Sequence, residues 1–165
     1  MHHPRNQEIE AKFALVVTSD TRTPNTDETG KLAIRKLEEA GHEVMAYLIT
    51  PNNSDMISET IRGLLSDERI QVIITSGGTG ISPRDKTVDV ARVLFSREVN
   101  GFGEAFRRFS YDEIGGLTMI SRATCGVSNG KLIFCLPGST GAMELALMDL
   151  IIPNIGHMLW ELSRE

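Results

Sequence analysis

The chain has 165 residues, with 17 basic and 22 acidic side chains and a formal charge of −5. At 41% hydrophobic and 24% charged it has the make-up of an ordinary globular domain, long enough to bury a core without disulfide or metal support. Its apolar runs fall short of the ~20 residues that span a bilayer, and its acidic balance disfavours general nucleic-acid binding, so neither membrane nor nucleic acid is an expected partner.

In chain order, residues 1–11 read as a polar tail without the apolar core of a signal peptide, and residues 12–165 as a single cytoplasmic domain. Lys12–Thr18 (KFALVVT) is a β-rich apolar run, predicted to be a strand buried on both faces. Asp27 or Thr29 can cap a helix reaching Ala40, closed by Gly41. His42 then reads as a turn residue. Glu43–Thr50 is a second strand, and Asn53 or Ser54 caps a helix with Ile57, Ile61, Leu64 and Leu65 at helical spacing. Gln71–Thr75 is a third strand, running into a glycine loop. Thr87 is the expected cap of a helix over about 88–95, and Phe102–Phe109 reads as helical. Its aromatics Phe102, Phe106 and Phe109, with Tyr111, exceed what one helix can bury against a sheet, and the surplus suggests an interface.

Asn129-Gly130 is a strong two-residue hairpin signal between strands at Ala123–Val127 and Lys131–Leu136. That turn sets Cys125 opposite Phe134 and Thr124 opposite Cys135, so the two cysteines point to opposite faces and cannot form a disulfide. No zinc-ligand spacing is present. Ser139 caps a long last helix to Ile152, which Pro153 breaks before the pattern resumes at Ile155–Glu161. Strands alternating with helices predict an α/β fold: a mostly parallel sheet carrying one antiparallel hairpin. In such sheets ligands bind beyond the carboxyl ends of the strands. Four loops fall there: Thr18–Arg22, Thr50–Asn53, Thr75–Lys86 and Pro137–Thr140.

The most informative loop is Thr75-Ser76-Gly77-Gly78-Thr79-Gly80-Ile81-Ser82-Pro83-Arg84-Asp85-Lys86-Thr87. Its glycines let backbone N–H groups approach phosphate oxygens. A P-loop would need glycine where Asp85 stands, and the dinucleotide fingerprint needs glycine where Pro83 stands. A carboxylate at that point repels phosphate unless a cation lies between them. Asp85 is therefore a candidate magnesium ligand, with a helix N-cap as its other reading.

Together the Gly-Gly-Thr-Gly-x-x-x-Arg-Asp loop, Thr18-Ser19-Asp20-Thr21, Ser121-Arg122 and Pro137-Gly138-Ser139 resemble the molybdopterin-binding family that includes MoaB and MogA. Phe102–Arg107 and Asp112-Glu113-Ile114-Gly115 are closer to the MoaB branch. The resemblance implies a three-layer α/β/α sandwich assembling as trimers or hexamers. It also implies binding of molybdopterin and, in active members, transfer of AMP from Mg-ATP to its phosphate. Asp85 matches a catalytic aspartate, and Gly77, Gly78, Thr79 and Gly80 match the nucleotide-phosphate loop. Ser19, Ser121, Arg122 and Ser139 match positions around the pterin pocket, with Asp20, Pro137 and Gly138 in the same motifs. Arg122, read without the family, is a solvated strand charge. Adenylylating relatives carry Pro-Asp-Asp or Pro-Asp-Glu after the second strand, where this chain has Pro51-Asn52-Asn53. The expected metal set is then Asp85 and Asn52, and an amide offers magnesium an oxygen without charge. Two functions stay open: a molybdopterin adenylyltransferase, or a non-catalytic protein that binds molybdopterin or a precursor.

Overall fold

A computed structural model describes residues 9–164. Its elements run β1 (Lys12–Thr18), α1 (Glu28–Glu39), β2 (Glu43–Thr50), α2 (Ser54–Leu65), β3 (Val72–Ser76), α3 (Thr87–Leu94), β4 (Arg97–Glu98) and α4 (Asn100–Ile114). A 3-10 segment over Gly115–Ile120 leads to β5 (Thr124–Ser128), β6 (Lys131–Leu136) and α5 (Thr140–Leu145). The last helix widens to a π turn over Ala146–Ile151 before α6 (Ile155–Leu162). The six strands lie in the order β2-β1-β3-β6-β5-β4, with β5 and β4 antiparallel to their neighbours and the rest parallel.

Continuous apolar sequence places β1, β3 and β6 at the centre, because only a strand covered on both faces can leave no side chain to water. All five residues of β3 and all six of β6 are buried. One face carries Phe13, Leu15, Val17, Ile74, Phe134 and Leu136 under α1, α4, α5 and α6. The other carries Ala14, Val16, Ile73, Ile133 and Cys135 under α2 and α3. Each large side chain fully buried this way contributes about 1.5–3 kcal/mol. The result is the expected α/β/α sandwich with its hairpin. Cys125 pairs with Phe134 and Thr124 with Cys135, and both cysteines are free, in opposite layers.

Asp27 caps α1 by accepting from the Gly30 N–H at 3.0 Å, and Asn53 caps α2 by accepting from Met56. Local chemistry misplaces other boundaries. Lys86, not Thr87, precedes α3, and it has no side-chain cap. The Thr87 hydroxyl is drawn 3.0 Å from that of Thr18 instead. α4 runs five residues past its predicted end, and β4 has only two residues, too short to carry a pattern. Of the expected tail, residues 1–8 lie outside the described residues, whereas Ala11 is fully buried. No single helix among the described residues is long and apolar enough to cross a membrane.

Candidate functional site

The parallel strands stop in line. Thr18 pairs with Thr50, Val17 with Ser76, and Ser76 with Leu136, so the loops after β1, β2, β3 and β6 open on one edge of the sheet. The glycine loop is drawn tight against them. Gly78 has φ +70°, and a Cβ there would lie 2.2 Å from the Thr87 hydroxyl; one on Gly77, at φ +101°, would lie 2.7 Å from the Thr18 carbonyl oxygen. Only glycine fits either place.

Two hollows flank this loop. One is a chamber of about 530 Å³ between the glycine loop, α4 with its 3-10 extension, and the start of α5. Phe106, Ile114, Leu117 and Ile120 make its wall largely apolar, while Thr79, Asp85, Ser121 and Ser139 supply polar atoms. The other, of about 410 Å³, is polar and lined by Thr18–Arg22, Asn52, Gly77, Gly78, Arg84 and Gly138. Gly78 and Gly138 belong to both, so the hollows adjoin across two glycines.

The sequence-predicted residues divide between these spaces. Gly78, Thr79, Gly80, Asp85, Ser121, Pro137, Gly138 and Ser139 face the chamber; Ser19, Asp20, Asn52 and Gly77 face the polar hollow. Asn52 and Asp85 therefore line different, adjoining spaces. Asn52 is brought to Asp20, whose two carboxylate oxygens accept from its backbone N–H at 2.9 Å and its side-chain amide at 3.2 Å. Those bonds, backbone first, hold the Asp20 carboxyl below its ordinary range. Asp85 is not a helix cap: its carboxylate accepts from the Ser82 N–H at 2.8 Å and braces the glycine loop.

Arg122 is not the solvated strand charge of the sequence reading. It lines neither hollow but a shallow cleft beside Asp85 and Asp89. Its guanidinium donates to the Gly80 carbonyl at 2.8 Å and the Asp85 carbonyl at 3.1 Å, and forks onto Asp89 at 2.8 and 3.1 Å. The fork that would grip a phosphate is spent on the loop. Hydrogen bonding by Arg122 in turn lowers the Asp89 carboxyl.

Two groups escaped sequence reasoning. Arg22, in the polar hollow, donates to the Gly138 carbonyl at 3.0 Å and stands 3.5 Å from Asp27, a fully buried carboxylate that also accepts from the Tyr47 hydroxyl at 2.6 Å. Burial and then that bond raise the Tyr47 phenol. The second group is the α4 face of Phe106, Ser110 and Glu113. Its signal was the spacing of a helix read only for its aromatics. Among the described residues no three His, Cys, Asp or Glu side chains gather as a metal site. Magnesium at a nucleotide needs only one or two carboxylates beside phosphate and water, and Asp20 with Asn52 fits that lesser requirement.

The profile of a family described as "Probable molybdopterin binding domain" matches residues 14–157. The chain belongs to this molybdopterin-binding family. Among its relatives, the molybdenum cofactor biosynthesis protein B of Bacillus cereus is 40% identical over 164 residues, covering 99% of this chain and 97% of that protein. The protein of the same name from Bacillus subtilis is 43% identical over 152 residues, covering 92% and 89%. A crystal structure of molybdenum cofactor biosynthesis protein B superposes with a TM-score of 0.93 at 41% identity, over 97% of this chain and all 100% of that one. The tungsten cofactor synthesizing protein MoaB from Pyrococcus furiosus does so at 0.80 and 32% identity, over 93% and 98%. This is a molybdenum cofactor biosynthesis fold built around a molybdopterin-binding domain.

Proposed function

We propose that this family member binds molybdopterin, its pterin in the apolar chamber and its phosphate toward the polar hollow, and that it adenylylates the ligand slowly or not at all. The junction of an apolar chamber with a polar hollow across Gly78 and Gly138 carries this reading. A flat heterocycle with a charged tail needs both environments side by side.

The second reading, adenylyl transfer, is favoured by the glycine loop. In it a phosphate oxygen of molybdopterin attacks the α-phosphorus of ATP, the bond to the bridging oxygen breaks, and pyrophosphate leaves. Loop N–H groups would stabilise the charge developing on the phosphates. Magnesium, when bound, supplies charge neutralisation, and Asp20 with Asn52 would hold it. One carboxylate where relatives offer more argues for weak retention. The protein would work as a trimer or hexamer.

Pyrophosphate release from Mg-ATP, measured with and without molybdopterin, tests the choice. The wild type is expected to bind molybdopterin with little turnover. Asn52→Asp should raise Mg-dependent turnover at least about tenfold, and Asp85→Asn should remove what turnover exists by slackening the loop. A fast wild type indifferent to Asn52→Asp would instead make the protein an adenylyltransferase.

A further inference from the structure

α4 turns one face to the chamber. Phe106, Ser110 and Glu113 follow the four- and three-residue steps of a single helical face, and all three line the cavity. Phe106 is 1% exposed and serves as apolar wall. The other two hold unspent hydrogen-bonding capacity. Ser110 is 6% exposed, and its hydroxyl makes no hydrogen bond among the described residues. Glu113 likewise has no hydrogen bond or ion pair among them. The cations nearest in sequence are committed elsewhere: Arg107 to the Ser121 and Ala123 carbonyls, Arg108 to Asp112. Glu113 Oε2 reaches to 4.0 Å from where a Cβ on Gly141 would stand, at the first turn of α5. Of the other polar side chains on the chamber, Thr118, Ser121, Ser139 and Asp85 each have an internal partner, and the Thr79 hydroxyl, across the chamber on the glycine loop, is unbonded like that of Ser110 among the described residues. The Ser110 hydroxyl opens onto the chamber without an internal partner, so its donor and both lone pairs are available to a ligand there.

We propose that Ser110 and Glu113 read the 2-amino-4-oxo edge of the pterin ring, an inference that rests on the molybdopterin reading above. That edge presents two adjacent donors, the ring N3–H and the exocyclic amine, which a carboxylate accepts as a pair. The Ser110 hydroxyl donates to the neighbouring oxo group. A 2,4-dioxo ring turns an oxygen lone pair toward the carboxylate instead and is rejected.

The test is fluorescence titration of the full-length protein with 6-hydroxymethylpterin and with 6-hydroxymethyllumazine, its 2-oxo counterpart. The wild type should prefer the pterin by at least about tenfold. Glu113→Gln should bring the two ligands close to parity. Ser110→Ala should weaken both by a similar factor, because the oxo group is common to them. Asp112→Asn, which alters a carboxylate already paired with Arg108, should keep the wild-type preference. Glu113 is exposed, so its variant should melt with the wild type. A preference unchanged in Glu113→Gln overturns the edge reading and leaves the chamber as a pterin site. A wild type that binds neither ring overturns the molybdopterin reading and this inference with it.

Discussion

Arg122 shows how much of a motif residue's hydrogen bonding can go to holding its own loop. In sequence it stands beside Ser121 before a hairpin, where a fork for phosphate and a solvated charge look alike. In the fold its side chain is 29% exposed and ties the glycine loop to α3 through two carbonyls and Asp89. The ion pair, with Asp89 at 62% exposure, contributes little by itself. The carbonyl bonds contribute more, so Arg122→Ala should cost about 1–2 kcal/mol in urea unfolding, and Asp89→Asn less. Equal stability of Arg122→Ala and wild type would show the clamp to be idle. His42 is the other instructive residue. It is a turn residue, as its place after Gly41 suggested, and its Nδ1 accepts the Ala11 N–H at 3.1 Å while its ring packs on Phe13. Burial lowers its pKa from 6.5. The unfolded chain therefore takes up the proton first as pH falls. The stability His42 contributes is complete above 6.5 and is lost as pH drops through the folded value. Between about pH 7.5 and 5.5 the melting temperature should fall further in the wild type than in His42→Asn.

At the scale of elements, the sequence was most readable where one physical requirement acts alone. Lys12–Thr18, Glu43–Thr50 and Lys131–Leu136 are bounded as predicted, because apolar runs and the Asn129-Gly130 turn leave few choices. Which hollow each loop residue faces was not readable, since that depends on how loops from distant strands fold over one another. The chamber's α4 wall was hidden by its own aromatics, which account for the helix without revealing Ser110 and Glu113. The β3–α3 loop joins both lessons: its glycines signal a close approach, while the partner, Thr87, reads in sequence as a cap. Gly78→Ala should therefore destabilise by about 1–3 kcal/mol through its positive φ alone, and further through collision with Thr87. Thr87→Ala removes the 2.2 Å collision with the hydroxyl but leaves the tight contacts with the Cβ and backbone N of residue 87, and the backbone strain. In a double-mutant cycle the two substitutions should couple, with Gly78→Ala costing less in the Thr87→Ala background. Strict additivity would mean that the loop relieves the contact by shifting.

On the scale of the whole molecule, the two core layers account for the sheet but not for what α4 leaves outside. Phe102 and Phe106 are buried, whereas Phe109 and Tyr111 are 43% and 57% exposed, so the surplus of aromatics read from the sequence is real. It continues through Ile114, Leu117, Met119 and Ile120, and Met119 is 82% exposed. Exposed apolar side chains this close together in sequence favour the proposed association of subunits. Ile114, Leu117 and Ile120 also line the chamber, so under the proposed function this surface would be both the outer rim of the pterin site and the place where subunits meet. Assembly and binding should then be coupled. Light scattering at micromolar concentration should find a trimer or hexamer. Met119→Glu sets a charge on the exposed face without touching the core, and should raise the dissociation constant of the assembly at least about tenfold while the fold survives. The same variant should weaken pterin binding only where it dissociates, so that raising the protein concentration restores both together. A wild-type monomer under these conditions would refute the interface. Dissociation of Met119→Glu with undiminished pterin affinity would show that each subunit completes its own chamber.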